Sequence, residues 1–147
     1  MIVLNRILVT LLALASGFLF AAHHPISEPS PYPQVDAIAG EYGVRVVWTA
    51  PAETRCGVGM AGCYTPTAGF VELVNSLSAV KAEEVVRHEV AHFLIGQTCG
   101  ANSFAQRDEE ATEAYSDLYL GGDPALNGYR YGVEDVERAK NYRKGVC

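Results

Sequence analysis

The chain has 147 residues, 49% of them hydrophobic, which is material for one domain with one modest core and not for two. Its net charge is −6, and the few cations are scattered apart from Arg138, Lys140, Arg143 and Lys144, which are interleaved with acids near the C-terminus. That distribution excludes a nucleic-acid surface.

At the N-terminus Arg6 follows a very short start, Ile7 to Phe20 is almost wholly apolar, and the small residues Ala21 and Ala22 precede the first polar stretch. This is the pattern of a signal peptide. A spanning helix needs about 20 apolar residues, more than this run offers, so cleavage near Ala22 is expected and no stable membrane association after it. Ala13-x-Ala15 offers an earlier cleavage site. The expected organisation is a signal peptide over 1–22, a Pro-rich flexible segment over 23–34 and one domain over 35–147. Pro25, Pro29, Pro31 and Pro33 stand among polar residues in that segment, which has no means of building a core. His23 and His24 are therefore read as solvated tail residues, because a mobile segment holds no rigid metal geometry.

Export, whether to the periplasm or to the extracellular space, places Cys56, Cys63, Cys99 and Cys147 in an oxidising compartment, where an even count reads as two disulfides. Three pairings are possible. The expected one closes Cys56 on Cys63 around the flexible Gly-Val-Gly-Met-Ala-Gly loop and joins Cys99 to Cys147.

Val35 to Tyr42 reads as a short helix ended by Gly43. Arg45 to Thr49 is rich in β-branched and aromatic residues and stops before Pro51, so a strand is expected, with Trp48 in the core. Gly62 to Thr65 and Phe70 to Val74 read as two further strands joined by a turn at Pro66 and Gly69. A small three-stranded antiparallel sheet is the economical arrangement. A long helix should start at Ser78, a good N-cap, and stop at Gly96. A second should begin after Ser103, which makes a capping-box pattern with Gln106, and end at Gly121. Asp123 to Gly132 reads as loop and Val133 to Lys144 as a third helix. The fold class is α+β.

The first long helix carries His88-Glu89-Val90-Ala91-His92. Two imidazoles at i and i+4 lie about 6 Å apart on one helix face, close enough to share a tetrahedral cation. Glu89 points beside that cation, where a general base belongs. Ala82, Val86, Val90 and Phe93 form the adjoining apolar stripe that faces the core.

A catalytic zinc needs three protein ligands and an open position. Glu113, on the second helix, is the best candidate for the third. Asp117, one turn further on the same face, can accept the free N–H of a ligating histidine. Glu109 and Glu110, one turn earlier, are fallback ligands.

His88-Glu-Val-Ala-His92 followed by Thr112-Glu113-Ala-Tyr-Ser-Asp117 resembles the gluzincins, the zinc metallopeptidases with a His, His, Glu site and a Glu-x-x-x-Asp second helix. Residues 78–120 carry the resemblance. It implies zinc on His88, His92 and Glu113, Glu89 as general base, Asp117 as the partner behind a histidine, and a minimal zincin fold in which the sheet packs on the active-site helix, the glutamate helix and the C-terminal helix. The spacing between the motifs is one residue longer than in thermolysin-like members, and the chain is too short for their flanking domains. The metzincin pattern is excluded, since Ile95 and Thr98 stand where its glycine and third histidine would be.

The reaction expected is hydrolysis of a peptide bond in a peptide or protein substrate, with Glu89 taking the proton from water and delivering it to the leaving amine. A donor for the oxyanion must come from tyrosine or arginine, and Tyr115, Tyr119, Tyr129 and Tyr131 are available. The substrate is expected along the strand nearest the helix in sequence, Phe70 to Val74. Two other readings remain open from sequence: a disulfide-stapled binding module with structural zinc or none, and a zinc hydrolase acting on a cell-wall amide.

Overall fold

The computed structural model describes residues 30–147; the expected signal peptide, the expected cleavage sites, His23 and His24 lie outside them. Helix α1 spans Pro33–Gly40 and begins with proline at its first turn, where the missing N–H costs nothing. Pro33 and Gln34, read from sequence as the end of the flexible segment, are therefore helical. Val35 and Ala39 point into the core.

Three strands follow, β1 at Arg45–Thr49, β2 at Gly62–Thr65 and β3 at Phe70–Val74. Their order is β1-β3-β2, with β1 parallel to β3 and β2 antiparallel to it. The sheet is thus mixed, a correction to the antiparallel expectation. The reason is the length of the connection between β1 and β2: it carries the chain past the place where β3 will lie, so the β2–β3 hairpin folds back and lays β3 alongside β1. All five residues of β3 are buried. Trp48 packs edge-on against Tyr32 at 5.7 Å and donates its indole N–H to Asp36 at 3.1 Å.

Helix α2, Ala79–Cys99, starts on Ser78, whose hydroxyl accepts the Lys81 N–H at 3.3 Å. It does not stop at Gly96 but runs on to Cys99 and ends on Gly100, at φ 96°. Gly96 is a packing glycine, because a β-carbon there would overlap the side chain of Gln106. Ser103 accepts the Gln106 N–H at 3.1 Å ahead of only a short 3₁₀ turn, Ala105–Arg107. Helix α3, Glu109–Leu120, begins afresh on Asp108, which accepts the Ala111 N–H at 3.3 Å, and ends on Gly121 at φ 72°. A single turn, α4 at Pro124–Asn127, stands within the stretch expected to be loop, and α5 spans Val133–Arg143.

Two apolar clusters use opposite sides of α2. Ala82, Val85, Val86 and Val90 join Val71 and Leu73 of the sheet and Val35 and Ala39 of α1. Ala91 and Ile95 join Ala111, Ala114 and Tyr115 of α3 and Ala139 and Tyr142 of α5. Small residues at these contacts let α2 and α3 approach closely. Disulfides join Cys56 to Cys63 and Cys99 to Cys147, the pairing expected, and suit an oxidising environment. No helix of the described residues is long and apolar enough to cross a membrane.

Candidate metal centre

His88 and His92 project from α2 between the two apolar clusters, and both rings are buried. The Nδ1–H of His92 donates to the backbone carbonyl of Gln106 at 2.6 Å. A carbonyl can only accept, so a proton sits on Nδ1, and Nε2 faces inward. Nδ1 of His88 lies 2.8 Å from the Glu113 carboxylate, which turns its Nε2 to the same point. The two Nε2 atoms are 3.1 Å apart.

The carboxylate that meets them belongs to Glu109. Its Oε2 is 3.1 Å from His88 Nε2 and 3.4 Å from His92 Nε2. Two ligands at about 2.0–2.1 Å from a tetrahedral zinc stand about 3.3 Å apart, so all three edges of this triangle match one coordination face. His88, His92 and Glu109 form the one group of histidines, cysteines and acids among the described residues with metal-binding proximity.

The expected arrangement thus recurs one helical turn earlier. Glu109, a fallback from sequence, occupies the place expected for Glu113, and Glu113 occupies that expected for Asp117, behind a histidine. Asp117 instead accepts the hydroxyl of Tyr131. Glu110 is exposed and takes no part in this triangle. Sequence offered two carboxylate pairs with the same i, i+4 spacing, Glu109 with Glu113 and Glu113 with Asp117. Asp108 decides between them by starting α3 where it does, which puts Glu109 in the first turn, directly against α2.

The field at this point favours positive charge. Burial works against a charged imidazole at His88, yet the hydrogen bonds to Glu109 and Glu113 and the charge of Glu89 outweigh it and raise the ring to about 9. Burial likewise opposes charge on Glu109, but hydrogen bonds from His88 and His92 hold its carboxyl well below the usual range. A divalent cation satisfies the same field.

Glu89 lies beside the triangle, and its Oε2 accepts the backbone N–H of Tyr64 at 2.6 Å. That contact fixes the strand that borders the site: β2, not β3. The Phe70–Val74 strand is flanked on both sides, so it has no free edge to offer a substrate, which corrects the expectation. Of the four tyrosines considered, Tyr129 reaches the site. It stacks on the His88 ring at 5.0 Å and hydrogen-bonds to Glu109, and burial followed by the charge of Glu109 pushes its hydroxyl up to about 12. Tyr115 and Tyr119 pack around Arg143. The Gln106 carbonyl and Tyr64 N–H carried no signal in sequence, because both act through the backbone.

Glu109 keeps 43% of its side chain exposed, so the triangle opens into a cleft between β2 and the 3₁₀ turn. Compared with known proteins, the chain matches no family model, no curated protein and no solved structure.

Proposed function

We propose that this chain is an exported zinc-dependent peptidase of minimal zincin architecture, with His88, His92 and Glu109 as metal ligands and Glu89 as general base. The observation that carries the proposal is the triangle of two Nε2 atoms and one carboxylate oxygen, with edges of 3.1, 3.1 and 3.4 Å, a second carboxylate beside it and an open side toward solvent. A structural zinc site closes all four positions with protein ligands; this one leaves room for a reactant. Zinc bound there supplies a Lewis acid that polarises a carbonyl oxygen and makes water more acidic. Glu89 takes the proton of the attacking water and passes it to the leaving nitrogen, which completes hydrolysis of the amide. Glu113 and the Gln106 carbonyl keep both imidazoles in the tautomer that presents Nε2. Tyr129, protonated at neutral pH, donates to the oxyanion as charge develops on it. The outer edge of β2 borders the cleft and receives an extended peptide beside Glu89, which selects peptide over other amides.

Metal analysis and a mixed peptide library test this reading together. One zinc per chain with cleavage is expected, and Glu89→Gln should keep the zinc and lose the cleavage, since the amide retains the shape but not the basicity. Folded, disulfide-intact protein that takes up no zinc at neutral pH would falsify the ligand set. Zinc with no cleavage of any peptide would favour the binding-module reading instead.

A further inference from the structure

Glu89, His92 and Glu109 share a recess of about 210 Å³ with Asn102, Gln106 and Arg107. Asn102 and Arg107 have no part in the hydrolysis, yet they line the space in which the reacting carbonyl would lie. Resting on the peptidase reading, we infer that Arg107 and Asn102 together bind a carboxylate of the substrate, within about two residues of the cleaved bond.

Both side chains have donors to spare. Arg107 donates through Nε to the Ser103 carbonyl at 3.3 Å, and among the described residues no acid takes its two terminal nitrogens. Those nitrogens form the planar fork that matches a carboxylate. Asn102 stands at φ 61°, in the left-handed region that asparagine enters more readily than most residues, and its side-chain amide has no partner among the described residues. It supplies one more donor. Gln106 holds the pair in place. It is buried; its side-chain oxygen accepts the Asn102 backbone N–H, its side-chain nitrogen donates to the His92 carbonyl at 3.4 Å, and its own carbonyl accepts from His92 Nδ1. The loop is thus fixed to the turn of α2 that carries His92, so a carboxylate meets donors already set relative to the reacting carbonyl.

The distance follows from the chain. Arg107 lies two residues before Glu109, a span of at most about 7 Å, and an extended peptide covers that length in about two residues. Charge favours the same ligand. Glu89 and Glu109 are the acids of the recess, and a divalent cation at the triangle offsets both, which leaves the guanidinium as the unbalanced charge. Arg107 is exposed, so solvent screens the pair and its effect is modest. An acidic side chain and the substrate's own C-terminus present the same group, and their position in the peptide tells them apart.

The test uses peptides of one sequence with Glu, Gln or Lys in turn at the two positions on either side of the cleaved bond. Short versions end at the first or second position beyond it as free acid or amide. Cleavage is measured with the zinc-loaded wild type. Binding is measured by anisotropy with Glu89→Gln, zinc-loaded and metal-free, which separates the guanidinium from the metal as the source of attraction. Glu at one position, the free acid, or both should be favoured over the neutral counterpart by about fivefold, with and without zinc; the series that responds identifies the source of the carboxylate. Arg107→Gln should erase that ratio and leave the neutral peptides unchanged, and Arg107→Glu should turn it in favour of Lys. Asn102→Gly keeps the left-handed backbone while removing the amide, and should lower the ratio without changing zinc affinity. A ratio that survives Arg107→Gln or is unchanged in Asn102→Gly, a preference seen only with zinc, an equal loss for all peptides, or no preference in any series overturns the inference. Preferential binding that is lost in Arg107→Gln, without cleavage of any peptide, leaves it standing and removes the peptidase reading.

Discussion

The two walls of the cleft are braced by the same kind of hardware but to different ends. On the helical wall, the buried carboxylate of Asp108 accepts from Arg138 at 2.8 Å and from the Tyr142 hydroxyl at 2.9 Å, and the Cys99–Cys147 disulfide ties the end of α2 to the chain terminus beyond α5. On the strand wall, the buried carboxylate of Glu72 accepts from the Arg55 backbone at 2.8 Å, from its guanidinium at 3.1 Å and from the Thr49 hydroxyl at 3.2 Å, while Cys56–Cys63 closes the loop above it. Asp108 is the residue before Glu109 and caps its helix, so its brace sets the carboxylate corner of the triangle. Glu72 sets only the loop that borders the cleft. On the peptidase proposal, the same chemistry bears on metal affinity on one side and on substrate access on the other.

The largest test of this contrast removes ligands from the helical wall. Glu109→Ala should abolish tight zinc binding, whereas Glu113→Ala, which loses only the hydrogen bond behind His88, should weaken it about 10–100-fold. Asp117→Ala should leave it in place. Competition against a chelator ranks the three, and tight binding that survives Glu109→Ala while collapsing in Glu113→Ala would return the ligand to the later turn.

Next in size is the brace itself. Asp108→Ala removes a helix cap and two charge-assisted bonds, an expected loss of about 2–4 kcal/mol, read by urea denaturation, with a fall in zinc affinity beyond what Asp117→Ala causes. On the opposite wall, Glu72→Gln or selective reduction of Cys56–Cys63 should raise KM for peptides and leave zinc affinity alone. If both walls changed zinc affinity alike, the division of labour would be lost. Arg55, with 68% of its side chain exposed, should matter least: Arg55→Ala should cost no more than about 1 kcal/mol.

The two braces and the site also differ in pH response. Burial opposes charge on Asp108 and Glu72, but Arg138 and Tyr142 at the first, and the Arg55 backbone with Thr54 at the second, hold both carboxyls below their ordinary range. Their stabilisation is present above the unfolded value and is lost as pH falls through the folded one, in the acid limb. His88 has the opposite sign. Raised to about 9, it stabilises metal-free protein fully below its ordinary value of 6.5, and that contribution is lost as pH rises through 9. The same proton competes with zinc. Zinc affinity should therefore climb with pH up to about 9, with proton release on binding, and thermal denaturation with and without chelator should show an alkaline loss confined to the metal-free form.

How much of this was legible beforehand depends on the range of the interaction involved. The HExxH helix, its Ser78 cap, the Gly121 stop and the Cys56–Cys63 disulfide, which leaves Cys99 for Cys147, follow from neighbours in sequence or from one short loop, so periodicity and turn chemistry are enough to read them. The strand order escaped because a long connection permits either edge. The end of α2 escaped because Gly96 answers to Gln106, a residue on another element. At the metal centre, His88, Glu89 and His92 share one helix, and their mutual geometry is built into its pitch. The third corner of the triangle is not of that kind: Glu109 and Glu113 lie on one face of α3, equally spaced from a following acid, and that spacing does not rank them. The choice is made where Asp108 starts the helix and where Ala91, Ile95, Ala111 and Ala114 let α3 close on α2. Sequence by itself determined that two imidazoles and a carboxylate stand together; only tertiary packing determined which second carboxylate meets them, because a helix sets angles along itself while its distance to a neighbour is set by the side chains between.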